Sequence, residues 1–323
     1  MNSFFLRTAT SRLLLRQKPV LQYNPFKMSY IAAGATPGGA KATVKDGNRL
    51  KALFDANKPA FGGWQMIPGA APARILAQSG VDWVLVDCEH GSLDDHAMHE
   101  SVPAIAALGV SPIVRIPGME PWMVKRALDS GAHGILVPLL RTVKEAEDLV
   151  QAAKFPPAGK RGFGSPYSAK QFGPTISSLD YLNGANENVL TMVQIETKEA
   201  LEAVDEIAAV KGVDVLFVGP FDLGKMYPKG LLQRASAVNH KRQIIGINIG
   251  HRVSEAGIPQ ELNDAISKVQ VAAKKAGKKS GIYTFSGAHA KQCQQQGFDM
   301  VHVVTDYMGL EDVVKQYLTA AKN

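Results

Sequence analysis

The chain has 323 residues, 46% of them hydrophobic and 20% charged, a balance that supports a large buried core and excludes disorder, collagen-like repeats and a small stapled scaffold. Two cysteines, Cys88 and Cys293, exclude a disulfide framework and make a reducing interior the default compartment, and no run approaches the roughly 18 apolar residues of a membrane span. The net charge of +7 sits ahead of the body: residues 1–45 hold seven basic residues and no acid, leaving 29 basic against 29 acidic, which argues against a nucleic-acid surface.

Residues 1–27 are acid-free and Arg-spaced, with Phe4, Phe5, Leu13, Leu14 and Leu15 interleaved, which reads as an amphipathic mitochondrial-import segment. The alternative is a tail upstream of a second start at Met28, giving a cytoplasmic product. Residues 28–46 read as linker from their Gly, Ala, Pro and Thr content, and 47–323 as one domain. Within it, short apolar runs alternate with amphipathic stretches of helical length. Strands are predicted over 61–66, 83–87, 112–116, 134–138, 189–196, 213–218, 280–283 and 300–305. Helices are predicted over 93–108, 121–130, 143–154, 198–210, 259–275, 288–296 and 310–321. Eight β-α units favour an α/β fold of the (β/α)8 TIM-barrel type over an open doubly wound sheet. Neither a Gly-rich dinucleotide fingerprint nor a phosphate loop follows the first strand.

In such a barrel the chemistry lies at the carboxyl ends of the strands. Strand two ends in Asp87-Cys88-Glu89-His90-Gly91, strand three in Arg115, strand five in Gln194-Ile195-Glu196 and strand six in Gly219-Pro220-Phe221-Asp222. Glu196 and Asp222 finish successive strands, so their carboxylates can converge on one hard cation; Mg²⁺ or Mn²⁺ suits oxygen ligands, with Co²⁺ a further candidate, whereas zinc would want more His or Cys. His90 is placed to move a proton near neutral pH. Arg115 is a strand-end cation able to clamp a carboxylate through its fork, or to form an ion pair with a neighbouring acid. The Gly219-Pro220 turn can expose amides to an anion. This set suits enolate chemistry on a 2-oxo acid, and no strand-end lysine offers a Schiff base.

The segments Gly62-Gly63-Trp64, VDWVLVDCEHGSLD (81–94), PIVRIPG (112–118), LDSGAHGILVPLLRTVKEAE (128–147), KRGFGSP (160–166), TMVQIET (191–197) and VDVLFVGPFDLG (213–224) together resemble the HpcH/HpaI aldolases, relatives of the citrate lyase β subunit that act on 2-keto-3-deoxy acids. The resemblance runs from about residue 47 to the C-terminus, one segment excepted. It implies a pyruvate-binding TIM barrel with a divalent cation on Glu196 and Asp222. It also implies His90 as acid/base with Asp129 as its orienting partner, Asp87 in the same pocket, and Arg115 on the pyruvyl carboxylate and enolate. Gln194 and the amides around Gly219 and Phe221 would be substrate contacts, while Trp64, Ile282 and Tyr283 would face the aldehyde part. Phe221 replaces an alanine common in bacterial members, implying a narrower or differently shaped pyruvate site. Family members form hexamers with an exchanged C-terminal helix, so a homo-oligomer is implied.

Residues 225–246 do not belong to that pattern: they carry Lys225, Lys229, Arg234, Lys241 and Arg242 and no acid, between the GPFDLG run and INIGH at 247–251. They read either as an in-frame translated intron, since Gly224-Lys225 can encode a donor site and Ile245-Gly246 an acceptor, or as a lineage insertion in a βα loop; transcript reads crossing the region separate the two. The leading functional expectation is a metal-dependent carbon–carbon lyase that cleaves a 4-hydroxy-2-oxo acid to pyruvate and an aldehyde through a metal-stabilised enolate. The alternatives are a CoA-thioester lyase of the citramalyl or malyl type, a decarboxylase-cyclase, or a catalytically weak barrel acting as a binding protein.

Overall fold

The computed structural model describes residues 42–223 and 260–323. The expected import segment (residues 1–27), residues 28–41 of the expected linker and the atypical segment 225–246 lie outside the described residues. Eight parallel strands close into a barrel in chain order: β1 (Ala60–Gln65), β2 (Trp83–Asp87), β3 (Ser111–Arg115), β4 (Gly134–Val137), β5 (Leu190–Ile195), β6 (Val215–Val218), β7 (Lys279–Ile282) and β8 (Met300–Thr305). Every predicted strand is present. The described helices are α1 (Val44–Gly47), α2 (Arg49–Asp55), α3 (Ala70–Gln78), α4 (Asp95–Ala106), α5 (Pro121–Asp129), α6 (Val143–Ala153), α7 (Ser178–Asn188), α8 (Lys198–Glu202), α9 (Val204–Ala209), α10 (Pro220–Leu223), α11 (Gln260–Lys275), α12 (Gly287–Gln295) and α13 (Asp306–Lys322), with a 3-10 turn at Ser168–Phe172.

Five of these helices were not legible, the one-turn α10 among them. The end of the expected linker is already helical, because Thr43 and Asp46 form a capping box over α1, a unit too short to show a period. In α2, α3 and α7 the composition hides the stripe; α7 reads SLDYLNGANEN, and only Tyr181, Ala185 and Asn188 are buried. The single helix expected over 198–210 is broken at Ala203 into α8 and α9.

The two-residue period of a strand decides what enters the barrel. Trp83 and Leu85 of β2, Ile113 of β3, Leu190 and Met192 of β5, and Val215 and Phe217 of β6 fill the interior, while Val84, Val86, Val114, Val193, Leu216 and Val218 pack outward against the helices. Burying each such side chain contributes on the order of 1.5–3 kcal/mol. The interior is crowded enough that a Cβ on Gly62 would stand 2.0 Å from the Trp83 indole, so the wall opposite that ring has to be glycine. At the strand-start end, Leu50 and Phe54 of α2 cap the interior. Asn48 locks this plug, donating to the carbonyls of His133 (3.0 Å) and Asn188 (2.7 Å) and accepting from Ser111 Oγ (3.0 Å).

Two barrel histidines carry a pH consequence. Burial pushes His133 down to about 4 and His302 down to about 3, so both are neutral in the folded state. The unfolded chain binds more protons below about 6.5, so their stability contribution is complete above that pH and falls toward 4 at roughly 1.4 kcal/mol per unit per histidine. The urea midpoint is expected to drop between pH 6.5 and 4.5, with a shallower slope in His133→Asn; a flat profile would contradict this.

Candidate active site

The same alternation that packs the barrel carries polar side chains to its mouth. Asp87 follows Trp83 and Leu85 on the inward side of β2, Arg115 follows Ile113 on β3, and Gln194 and then Glu196 follow Met192 on β5. Asp87 and Arg115 are register partners. Arg115 donates from Nε to Asp87 Oδ1 (3.0 Å) and from Nη2 to Oδ2 (2.6 Å), while Trp64 Nε1 donates to Oδ2 at 2.9 Å. The amides of Glu89 and His90 each donate to Oδ1 at 3.1 Å. Burial alone would raise the Asp87 carboxyl; the hydrogen bonds and charge of Arg115, then Trp64 and the His90 amide, outweigh it and hold Asp87 ionised, below the usual carboxylate range.

Of the two uses foreseen for Arg115, the structure shows the ion pair. Its Nε–Nη2 edge is closed on Asp87, its Nη1 lies 3.0 Å from Glu89 Oε2, and its guanidinium sits 4.8 Å from the Trp64 ring centre. The cause is register: a carboxylate and a guanidinium end neighbouring strands at the same level, and pairing is the cheapest way to bury both. What remains for a ligand is the outer N–H of each terminal nitrogen.

Glu196 is buried one step beyond β5. Its Oε1 accepts from the Leu139 amide (2.8 Å) and its Oε2 from Gln194 Nε2 (2.6 Å). Leu139 reaches it because the chain turns with φ +54° straight after β4, a left-handed conformation that costs a leucine about 1 kcal/mol or more. Burial lifts the Glu196 carboxyl to about 7; the Leu139 amide opposes this, and the charges of Asp222 and Glu89 add to it. Gly219 makes room for the arrangement, since a Cβ there would fall 2.3 Å from Glu196 Oε2 and 2.6 Å from Gln194 Nε2. Gly219→Ala is therefore expected to displace the Glu196–Gln194 pair and lower turnover by about 10²-fold or more, the scale on which misplaced catalytic geometry acts, with a folded circular dichroism spectrum; wild-type rate would contradict it. The Gly219-Pro220 turn opens the one-turn helix α10, in which the Leu223 amide returns to the Gly219 carbonyl at 3.0 Å. The side chain of Phe221 lies outside the described residues.

His90 stands at the rim, its side chain 59% exposed, with Nε2 3.5 Å from Glu89 Oε1. The expected partnership with Asp129 is not found within this chain. Asp129 ends α5, before β4 begins, so the βα topology places it at the opposite end of the barrel, where it accepts from Arg161 Nη2 at 3.1 Å. Glu89 faces His90 instead. The sequence places Glu89 in the strand-two run without giving it a role; the Asp87-capped turn buries its side chain beside the exposed His90.

A cavity of about 260 Å³ joins these groups, lined by Asp87, His90, Arg115, Gln194, Gly219 and Asp222 on one side and by Trp64, Met66, Tyr283 and Thr305 on the other. Glu196 lies behind Gln194 rather than in the lining. The aromatic wall is braced from behind: Tyr283 stacks on His302 at 3.9 Å and its hydroxyl meets Thr305 Oγ1 at 2.8 Å, so Trp64 and Tyr283 face the cavity with their polar atoms engaged elsewhere. Ile282 is buried among the outward-packed core and does not line the cavity. A larger groove of about 720 Å³ between α5 and α6 holds none of these side chains.

Among the described residues no three His, Cys, Asp or Glu side chains cluster as a ready metal cage. The donor set nonetheless fits a hard cation held by few protein ligands. Asp222 is close enough that its charge adds to the cost of ionising Glu196, all the donors of the two are oxygens, and Gln194 Oε1 is buried with no hydrogen-bond partner among the described residues.

A closed parallel barrel with an acid–arginine cluster at its strand ends is the architecture of a TIM-barrel enzyme acting on a small polar substrate. The chain belongs to the HpcH/HpaI aldolase/citrate lyase family, whose model matches residues 64–238, and is by that membership a carbon–carbon lyase. It is 34% identical over 261 residues to a hydroxypyruvate/pyruvate aldolase of Agrobacterium fabrum, covering 80% of this chain and 88% of that one. A 5-keto-4-deoxy-D-glucarate aldolase of Shigella boydii is 32% identical over 259 residues, 80% and 91% of the two chains. The crystal structure of a family member from Burkholderia cenocepacia superposes with a TM-score of 0.69 at 32% identity, covering 85% of this chain and 100% of that one.

Proposed function

We propose that this protein is a divalent-metal-dependent aldolase that cleaves a 4-hydroxy-2-oxo acid to pyruvate and an aldehyde, and runs the condensation in reverse. One observation carries the reading: the carboxylates of Asp87, Glu89, Glu196 and Asp222 gather around Arg115, the one cationic side chain lining the cavity among the described residues, and Glu196 is lifted to about 7 as a result of burial and that crowding. Asp87 and Glu89 answer Arg115; Glu196 and Asp222 are the donors for Mg²⁺, Mn²⁺ or Co²⁺. Bound there, the cation supplies Lewis-acid polarisation of a 2-oxo carbonyl, worth several kcal/mol. The names of the aldolase relatives support the same class of substrate.

The chain's own groups divide the remaining work. The outer N–H groups of Arg115 hold the substrate carboxylate, and the Asp87 pair fixes the plane in which they point. Gln194 Oε1 accepts from a substrate hydroxyl or an ordered water. His90 takes the proton of the C4 hydroxyl; the C3–C4 bond breaks, its electron pair passes into the pyruvyl enolate, and the aldehyde leaves. A proton returned to C3 completes pyruvate. Trp64, Tyr283 and Met66 shape the side on which the aldehyde sits.

The test is pyruvate release from a panel of 4-hydroxy-2-oxo acids with EDTA, then with Mg²⁺ or Mn²⁺ restored. Turnover abolished by EDTA and regained with the cation is expected. Turnover indifferent to EDTA, release only from a CoA thioester, or no release at all would each overturn the reading.

The oligomer belongs to the same proposal and is supported by α13. None of its 17 residues is buried, and Leu310, Val313, Val314, Tyr317 and Leu318 form a continuous exposed apolar stripe at helical spacing. Truncation after Met308, which spares the Asp306 carboxylate that caps the amides of Met66 and Ile67, is expected to lower the mass measured by light scattering; an unchanged mass would contradict an assembly through this helix.

A further inference from the structure

We propose that Glu89 is a positioning residue that ties Arg115 to His90, holding the imidazole at the cavity mouth and answering the positive charge it gains on taking the substrate proton. The inference rests on the aldolase reading and deepens it. Its first support is geometric. The two oxygens of this carboxylate address different groups, Oε2 lying 3.0 Å from Arg115 Nη1 and Oε1 3.5 Å from His90 Nε2. The side chain is 11% exposed while that of His90 is 59% exposed, so the acid is the anchored member of the pair and the imidazole the mobile one.

The second support is the turn that makes the contact. Asp87 Oδ1 accepts from the amides of both Glu89 and His90 at 3.1 Å, and the Gly91 amide returns to the Asp87 carbonyl at 3.2 Å. Side chains adjacent in sequence normally diverge; this tight turn brings 89 and 90 to one side of the mouth. A Cβ at Gly91 would stand 2.3 Å from the Asp87 carbonyl oxygen, so the turn depends on that glycine.

The third support is the unequal grip on Arg115. Asp87 holds the guanidinium by two aligned hydrogen bonds, whereas the approach of Glu89 to Nη1 is close but out of line, leaving Oε2 without a hydrogen bond. A substrate carboxylate reaching Arg115 therefore competes with Glu89 and not with Asp87, which turns Glu89 toward His90 as the substrate binds. The charged groups facing Glu89 are Asp87 on its own turn, Arg115 from β3, Asp222 from α10 and His90 itself.

A double-mutant cycle tests this in the full-length protein. Glu89→Gln is expected to lower kcat by about 10- to 100-fold with KM changed by less than about 3-fold, the lower part of the range for general acid–base catalysis. Its acid limb of kcat/KM should shift by about 0.5–1 pH unit, and Glu89→Asp should recover part of the rate. In a His90→Ala background the same change should cost less than about 2-fold. Equal effects in both backgrounds, or a wild-type kcat and pH profile in Glu89→Gln, would overturn the proposal. A readout that needs no turnover separates it from the aldolase reading: the His90 imidazole nitrogen resonances, assigned against His90→Asn, should move toward those of a solvated imidazole in Glu89→Gln. Unmoved resonances would overturn the proposal whatever substrate the enzyme uses.

Discussion

Replacing Glu196 by glutamine is expected to lower kcat/KM for a 4-hydroxy-2-oxo acid by about 10³-fold or more, the loss of several kcal/mol of electrostatic stabilisation. The substitution is nearly isosteric and keeps an acceptor for the Leu139 amide, so the loss reports charge and not collapse. The metal-free protein should respond in the opposite sense. Glu196 has a folded-state value near 7 against 4.5 for a free side chain, so its neutral form is favoured in the fold. Its contribution is fully present below 4.5 and is lost as pH rises through 7, leaving a penalty of roughly 3 kcal/mol at pH 8. Glu196→Gln is therefore expected to melt higher than wild type at pH 8 in EDTA and equally at pH 4.5. Adding Mn²⁺ at pH 8 should raise the wild-type melting temperature and leave the variant unmoved. Equal activity, or equal cation response, would remove Glu196 from the site.

Arg115→Met should be the most destabilising of the substitutions considered. Asp87 is fully buried and keeps its charge because Arg115 answers it. Removing the arginine strands a carboxylate with only the Trp64 N–H and two amides, a loss of about 3–5 kcal/mol by urea titration, and abolishes carboxylate binding in the cavity. Asp87→Asn alone should cost less, and the double variant should recover part of the loss, with a coupling of about 1–3 kcal/mol. Strictly additive effects would show that the two side chains do not depend on one another.

The barrel was legible because its strands are short, apolar and regularly spaced, and because period 2 requires no tertiary information. The same regularity foretold that Asp87, Arg115, Gln194 and Glu196 would share the mouth: each sits an even number of residues after an interior side chain. What could not be read was which of them would satisfy one another. The Asp87–Arg115 pair is a property of register between two strands 28 residues apart, and register is invisible in either strand alone. Asp129 was assigned to His90 by resemblance, and the chain's own topology puts the two at opposite ends. Glu89 comes beside His90 through a turn closed by side-chain-to-backbone hydrogen bonds, and Leu139 reaches Glu196 through a left-handed residue in a run, LVPLL, that carries no glycine to announce it.

The central claim is that the carboxylates of Glu196 and Asp222 together hold a divalent cation beside Arg115. Anomalous diffraction from crystals grown with Mn²⁺ and pyruvate measures it directly. The account predicts one strong peak within coordination distance of both carboxylates, with pyruvate reaching from it to the Arg115 guanidinium; a peak elsewhere, or none at saturating Mn²⁺, would contradict it.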